Sequence, residues 1–379
     1  MKFIENFVPE LVIDSPGRIN IIGEHTDYNM GYVLPTAISK KIVFKFCRNN
    51  SQDTCNVYSK TYDVGFTVNL AWISRSKTEW ENYILGVLHE IGKRSDKLQG
   101  FDCVIDSNLP GGSGLSSSAA LECGLAFGLN ELFSLELSKR DIVELSQTAE
   151  HTYVGTQCGI MDQFASVMSK KDHVILLDCT SLEHNYIPVD FNPYKIIMLN
   201  TNVSHNLASS EYNVRKAECA DGVAIIKKSY PKVNSLRDIT RKMLEEHKSK
   251  MAGKVYDRCS FIIDENKRVI AAAEALKTND FDKLGTLLYM AHDGLSRLYE
   301  VSCVESDFLV DFSKNNPNVL GARQTGGGFG GCVLNIVHES AVEDFVASAS
   351  DAYLKKFNRS LIPFEAIIGP GTKVVSQAF

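Results

Sequence analysis

In the first half of the chain, hydrophobic residues occur in short runs that are typical of β-strands. Over much of the second half they repeat with the period of an α-helix. The short runs predict strands at residues 41–47, 101–105, 173–178 and 195–200. From residue 211 to about 315 the pattern is mainly helical. Two further strands, 319–324 and 332–337, flank a glycine run, and a helix follows at 339–357. This mixture predicts an α+β fold.

The start of one helix in the first half is marked by its polar residues. Ser138 and Asp141 form a capping-box pattern, and the apolar stripe that follows runs from Ile142 to Tyr153. A second helix is predicted after the strand at 101–105, where leucines repeat on one face and Gly124 allows close packing.

The length of the chain predicts two domains, because 379 residues exceed what one hydrophobic core usually serves. The change from mixed to mainly helical patterning places the boundary between residues 180 and 205. We divide the chain into domains at 1–195 and 196–379, and the sequence leaves open whether the last residues return to the first domain.

Composition narrows the classes of function. A net charge of −6 and a pI of about 5.9 argue against nucleic-acid or anionic-membrane binding. No apolar run approaches the roughly 20 residues of a membrane helix, and the first residues lack a signal-peptide pattern. The ten cysteines include no CxxC pair, so reduced thiols are favoured over structural zinc. We therefore expect a cytoplasmic protein, and we take it to be a monomer.

Residues 15–29 read SPGRINIIGEHTDYN and carry the densest polar chemistry of the chain. We expect the Pro-Gly pair at 16–17 to break the chain, and a strand after it would direct Arg18 and Asn20 to the same face. Three polar side chains follow Gly23: Glu24, His25 and Asp27. Carboxylates and an imidazole beside a guanidinium suit a ligand with many hydroxyls and a transferable anion. An ordinary polar turn is the alternative.

Residues 108–122, NLPGGSGLSSSAALE, form a glycine-rich turn between a predicted strand and helix. Backbone N–H groups at such a turn, together with the helix N-terminus, can hold a phosphate. No lysine follows the glycines, so this is not a Walker A loop, and the spacing does not fit the GxSxG elbow of hydrolases. Taken alone, the turn remains weak support for phosphate binding.

Two shorter motifs complete the pattern. Residues 159–163 read GIMDQ and place Asp162 in an apolar setting, where capping a helix is the alternative role. Residues 325–331 read TGGGFGG, and a structural turn or a loop that closes a site would both explain them.

These motifs, in this order, resemble those of the galactokinase family, within the kinases that act on galactose, homoserine, mevalonate and phosphomevalonate. Ser15 stands where Ala is more usual in the first motif. The resemblance implies a two-domain sugar kinase fold with the active site in the cleft between the domains. It also implies ATP-dependent phosphorylation of α-D-galactose at the anomeric hydroxyl, as in galactose catabolism.

The resemblance assigns roles at the sugar. Asp162 would lie against the anomeric hydroxyl, and Arg18 would keep that carboxylate charged and stabilise the transferring phosphoryl group. Whether Asp162 acts as a base or by positioning stays open. The expected substrate-binding residues are Glu24, His25, Thr26, Asp27, Gly159 and Tyr212.

The resemblance also assigns the nucleotide site and a metal. The expected ATP-binding residues are Trp80, Gly112, Ser113, Gly114, Leu115, Ser116, Ser117 and Ser118. Ser118 and Glu150 would hold Mg²⁺, which accepts few protein ligands beside water and phosphates. The alternatives are an N-acetylgalactosamine or arabinose kinase of the same family, or a non-catalytic galactose and ATP sensor. The undamaged serine loop favours the enzyme.

Overall fold

The computed structural model describes residues 7–203 and 208–377, without the side chains of residues 208–210. The strands are β1 (Leu11–Asn20), β2 (Tyr32–Val33), β3 (Pro35–Arg48), β4 (Thr54–Ser59), β5 (Val64–Asn69), β6 (Phe101–Ser107), β7 (His173–Asp178), β8 (His184–Pro188), β9 (Tyr194–Asn200), β10 (Val319–Thr325), β11 (Cys332–His338), β12 (Ile362–Glu365) and β13 (Lys373–Gln377). The helices are α1 (Glu79–Gly92), α2 (Ser117–Phe133), α3 (Lys139–Ala149), α4 (Met161–Met168), α5 (Ala208–Lys227), α6 (Arg241–His247), α7 (Val255–Lys277), α8 (Phe281–Arg297), α9 (Val304–Lys314) and α10 (Val342–Phe357).

The predicted elements are present, with small shifts at their ends. The capping box is confirmed, since the Asp141 N–H donates to the Ser138 hydroxyl and the Ser138 N–H donates to the Asp141 carboxylate. Tyr153, the last residue of the predicted stripe, lies beyond α3 in a π-helical turn that begins at Glu150. The last predicted helix, α10, begins at Val342 after a short 3-10 turn.

The first sheet has the strand order β13-β1-β3-β6-β4-β5 and is mostly antiparallel. The expected break at the Pro-Gly pair is wrong, because β1 runs through it to Asn20. A register shift between Pro16 and Arg18 accommodates the proline, which has no N–H to give to the ladder. The strand therefore continues to the polar loop and fixes where that loop begins.

Helix α2 packs directly on this sheet. A Cβ on Gly124 would overlap the ring of Phe44, and one on Gly128 would overlap the ring of Phe46. The two glycines let the helix backbone approach the strand closely, as the sequence predicts. This contact fixes the position of the glycine loop that precedes α2.

The second sheet has the order β10-β11-β9-β12, and α9 and α10 pack with it around a core that includes Leu199, Val333 and Phe345. A small third sheet has the order β2-β7-β8. The last strand, β13, pairs with β1, so the chain end does return to the first sheet. The division between residues 195 and 196 stays a prediction, and it falls inside β9, which runs from Tyr194 to Asn200.

One large buried cluster connects the two main sheets. It contains Phe44 and Ile13 from the first sheet as well as Leu334 from β11 and Leu288 from α8. Among residues 7–203 and 208–377, no helix is long and apolar enough to cross a membrane. All ten cysteines lie within these residues and are free thiols.

Candidate active site

The polar loop after β1 is shaped by its own backbone and by Thr26. The Thr26 hydroxyl lies 2.7 Å from the Gly23 carbonyl and 2.6 Å from the Tyr32 carbonyl, and the Gly31 N–H donates to the Thr26 carbonyl. These contacts close residues 23–32 into a compact turn. Thr26, expected as a substrate ligand, therefore has its hydroxyl engaged in holding the loop.

Helix α7 holds this loop from behind. The buried Glu265 carboxylate accepts the Gly23 N–H at 3.0 Å, and Asn266 accepts the Tyr32 N–H at 2.8 Å. Hydrogen bonds to both ends of the loop restrict its position relative to α7. Local sequence patterns do not identify these two anchors, because they lie more than 200 residues away in the chain.

Glu24 ties the loop to the second sheet. Its Oε1 accepts from Arg323, from the Thr325 hydroxyl at 2.9 Å and from the Gly326 N–H at 2.7 Å, while Oε2 accepts from Asn20. Burial alone would raise the pKa of Glu24, but the charges of Arg323 and Arg18, together with the hydrogen bonds from Asn20 and Gly326, outweigh it and the pKa is lowered. A charged Glu24 thus connects the polar loop to the glycine run.

His25 and Tyr212 face each other beside the loop. Their ring centroids are 5.4 Å apart, and His25 Nδ1 lies 2.8 Å from the Tyr28 hydroxyl. Burial lowers the pKa of His25 to about 4, so the imidazole is neutral at pH 7. Within the described residues its Nε2 is buried without a hydrogen-bond partner, which leaves it available to a ligand hydroxyl.

Asp27 lies against the GIMDQ segment. A Cβ on Gly159 would overlap the Asp27 carboxylate, so glycine is required for this approach. Burial raises the pKa of Asp27 to about 7, and the neighbouring charge of Asp162 adds to the rise. Asp27 therefore lies close enough to Asp162 for the charge of Asp162 to act on its carboxyl.

Arg18 and Asp162 form a direct ion pair. Arg18 Nε donates to Asp162 Oδ1 at 2.8 Å, and Arg18 Nη1 donates to the Gly114 carbonyl at 2.5 Å. Burial alone would lower the pKa of Arg18, but Asp162 and Glu24 raise it. Asp162 lies in the first turn of α4, after the N-cap residue Ile160, and its side chain is 24% exposed. It does not cap the helix, and it remains open to a ligand.

The glycine loop lies on the other side of this pair. The Arg18 N–H donates to the carbonyl of the buried Leu115 at 3.0 Å, and the Ser116 hydroxyl donates to Asp162 Oδ2 at 2.5 Å. Ser113 is buried, and its hydroxyl donates to the Pro110 carbonyl at 2.7 Å. The loop that was expected to hold phosphate is thus bonded to the ion pair.

A cavity of about 670 Å³ opens beside the loop. Its walls include the aromatic rings of Trp80, Tyr62 and Tyr83, and at the loop it is lined by Gly111, Gly112, Ser117 and Ser118. Trp80 is held edge to face against Phe66, with ring centroids 5.3 Å apart. An apolar, aromatic space that ends at a glycine loop suits a nucleotide base with its phosphates.

Glu150 lies beside Ser118, at the π-helical turn after α3. Burial raises the pKa of Glu150 to about 7, the charge of Asp162 adds to this, and hydrogen bonding from Ser118 opposes it. Gln163 Nε2 donates to Glu150 Oε2 at 2.9 Å. In the part of the chain that the structure describes, both carboxylate oxygens of the buried Glu122 and Oε1 of Gln163 lack a partner. Burial, followed by the charge of Glu150, also raises the pKa of Glu122 well above its usual range.

The glycine run at 325–331 contacts both loops. A Cβ on Gly114 would lie 2.8 Å from the Thr325 carbonyl oxygen, and Gly326 meets the Gly114 backbone in the same way. Gly327 approaches the ring of Tyr212. These close contacts favour the site-closing interpretation of the run over a simple turn.

Some residues of this site were not identified from the sequence. They are Arg323, Glu265, Asn266, Glu122 and Gln163. Glu122 and Gln163 lie within the motifs at residues 108–122 and 159–163. Because each is a polar residue at an apolar position, the sequence could have indicated them as site residues. Arg323 precedes the glycine run, but nothing local indicated that it is fully buried.

Three segments of the sequence match models of known protein families. Residues 1–46 match the galactokinase galactose-binding signature, residues 82–170 the N-terminal domain of GHMP kinases, and residues 272–355 the GHMP kinase C-terminal region. The fold, the site and these matches define a GHMP kinase, a class that includes kinases for galactose, homoserine, mevalonate and phosphomevalonate.

Whole-chain relatives narrow the class. The chain is 43% identical to a galactokinase of Thermosipho africanus over 91% of its length and 94% of the relative. It is 39% identical to a Clostridium perfringens galactokinase over 97% of each chain. The chain belongs to the galactokinase family.

Solved structures agree with this assignment. The crystal structure of Lactococcus lactis galactokinase complexed with galactose superposes with a TM-score of 0.93 at 32% identity, covering 98% of this chain and 97% of that one. A mevalonate kinase from Methanococcus jannaschii superposes with a TM-score of 0.66 at 19% identity, over 95% and 98% of the two chains, and so shares the fold. The predicted α+β sugar kinase fold is confirmed.

Proposed function

We propose that this protein is a galactokinase that transfers the γ-phosphoryl group of ATP to the anomeric hydroxyl of α-D-galactose. The observation that carries the proposal is the Arg18–Asp162 ion pair, which is bonded to the glycine loop and lies beside the polar loop. A charged pair between a nucleotide cavity and a set of hydroxyl-binding groups suits phosphoryl transfer to a sugar.

The sugar would be recognised by polar groups that converge on one side of this pair. We propose His25, Asp27 and Tyr212 as direct ligands, supported by the Nε2 of His25, which has no partner among the described residues, and by the burial of His25 and Asp27 beside the ring of Tyr212. Gly159 permits the approach of Asp27. Glu24 and Thr26 would act mainly by shaping the loop, although Glu24 Oε2 has room for a second donor.

Transfer needs the two reactants to be aligned and the developing charge to be stabilised. Asp162 would orient the anomeric hydroxyl and take its proton as the oxygen bonds to phosphorus and ADP leaves. Arg18 would orient the Asp162 carboxylate and stabilise the equatorial phosphoryl oxygens. Both roles use groups that already lie within 2.8 Å of each other.

We propose Ser118 and Glu150 as the residues that would hold Mg²⁺. The buried Glu150 carboxylate beside the Ser118 hydroxyl and, within the described residues, the unpartnered Oε1 of Gln163 support a site that gains from a cation. When bound, Mg²⁺ would neutralise charge on the ATP phosphates, which would supply ligands together with water. The residues present fit this group.

The base of ATP would occupy the cavity beside Trp80, with its phosphates at residues 112–118. The aromatic walls and the adjoining loop support this placement. We also propose that the protein is cytoplasmic and acts as a monomer. Ten free thiols suit a reducing compartment.

A sugar panel with ATP consumption as the readout tests the proposal. Galactose should be the best substrate, because a site built to hydrogen-bond one hydroxyl can reject an analogue by ~10⁴-fold. Equal turnover of glucose and galactose would contradict it. Preference for N-acetylgalactosamine or arabinose would identify one of the related kinases, and galactose binding without turnover would identify a sensor.

A further inference from the structure

Asp162 is held at both of its carboxylate oxygens. Arg18 Nε donates to Oδ1 at 2.8 Å, and the Ser116 hydroxyl donates to Oδ2 at 2.5 Å. A hydrogen bond to a charged carboxylate is among the stronger side-chain interactions. With one donor on each oxygen, the rotation of the carboxylate about its Cβ–Cγ bond is restricted.

Ser116 makes this contact from a strained backbone conformation. Its φ is +57° and its ψ is 51°, a left-handed conformation that residues with a side chain rarely adopt. Ser116 is the N-cap of α2, yet in the described structure its side chain makes no cap hydrogen bond. A serine at this position normally bonds the first-turn N–H groups of its helix. Here the hydroxyl goes to Asp162 instead.

The same loop also holds the partner of Asp162. The Gly114 carbonyl accepts from Arg18 Nη1, and the Leu115 carbonyl accepts from the Arg18 N–H. Consecutive residues 114, 115 and 116 thus bind both members of the ion pair. The geometry of the pair is set by the glycine loop.

We propose that Ser116 is a positioning residue for Asp162 and not a nucleotide ligand as its motif suggests. This inference rests on the proposed galactokinase activity. The Ser116 hydroxyl fixes the carboxylate while the second lone pair of Oδ2 stays free to accept from the sugar hydroxyl. Because the hydroxyl does not cap α2, the first-turn N–H groups are left to the phosphates.

Ser116→Ala and Ser116→Gly test the role of the hydroxyl. Both remove the donor, and glycine also removes the backbone strain, so agreement between them assigns the effect to the hydroxyl. We expect kcat to fall by roughly 10–100-fold, since a hydrogen bond to a charged group has this weight. The KM values for ATP and galactose should change less than about threefold. Ser117→Ala, at the cavity wall, should instead raise the KM for ATP.

A double-mutant cycle with Asp162→Asn identifies the residue through which Ser116 acts. In the Asp162→Asn background, Ser116→Ala should cost little further, because the group that it positions is already impaired. The proposal is overturned if the double variant loses kcat by the product of the two single losses, or if Ser116→Ala raises the KM for ATP while kcat is retained. Ser116 would then be a nucleotide ligand. Failure of the unaltered protein to phosphorylate galactose would instead refute the proposed function, and that measurement comes first.

Discussion

Replacing Glu150 with glutamine should stabilise the ligand-free protein at alkaline pH while impairing its use of Mg²⁺. Glu150 is buried, and its pKa is raised from 4.5 to about 7, first by burial and then by the charge of Asp162. Above pH 7 the folded protein therefore contains a buried, charged Glu150 carboxylate, and this charge lowers the free energy of unfolding. Glutamine removes the charge and keeps the shape.

The size of the effect follows from the pKa. Each pKa unit corresponds to about 1.4 kcal/mol, so the rise from 4.5 to about 7 costs the fold on the order of 3 kcal/mol at pH 8. The unfolded chain binds fewer protons than the folded one between these values, so the stability of the unaltered protein falls as pH rises through about 7. Below about pH 4.5 the group is protonated in both states and the difference disappears.

The new amide also has acceptors nearby. Within the described residues, Glu122 and Gln163 carry buried oxygens without partners. An amide N–H at position 150 can donate to one of them, which adds to the stabilisation.

Thermal unfolding in EDTA at pH 5 and pH 8 measures the difference. The melting temperature of Glu150→Gln should exceed that of the unaltered protein by several degrees at pH 8, with a small difference at pH 5. Asp96→Asn, at an exposed carboxylate, is the matched control and should leave both temperatures unchanged. A variant that melts at the same or a lower temperature at pH 8 would refute the reasoning about the buried charge.

Three further predictions concern the ion pair and its surroundings. Asp162→Asn should lower kcat by ~10²–10⁴-fold with galactose binding nearly intact, measured by steady-state kinetics and calorimetry; retention of more than about half of kcat would remove Asp162 as the base. Arg18→Lys should lower kcat by an amount equivalent to roughly 2–4 kcal/mol of transition-state stabilisation. The reason is that lysine lacks the planar fork that reaches both Asp162 and the Gly114 carbonyl. Weakened galactose binding with kcat preserved would contradict this. Gly159→Ala should lower kcat/KM for galactose by roughly 10²-fold, because its Cβ would overlap the Asp27 carboxylate; an unchanged value would mean that Asp27 does not bind the sugar.

The sequence by itself determined the elements and the family. Periodicity predicted strands such as β6 and β9 and the capped start of α3, because those signals depend on neighbours a few residues apart. The motifs around Arg18, the glycine loop and Asp162 indicated a galactokinase, and the whole-chain relatives agree. The chain break predicted at Pro16 is wrong because the register of the pairing between β1 and β3 shifts there and accommodates the proline. This shift depends on β3, which is a separate segment of the chain.

Only the tertiary structure decided which hydrogen-bond partners the polar side chains of the site have. Glu24 was expected to bind substrate, but Arg323, about 300 residues away, occupies one of its oxygens. Ser116 is among the residues predicted to bind ATP, and in the structure its hydroxyl bonds Asp162. These contacts join segments that are distant in sequence, and hydrogen bonds between such segments depend on how helices and sheets pack. Local patterns therefore indicate which side chains carry the chemistry, and packing decides which of them position the others.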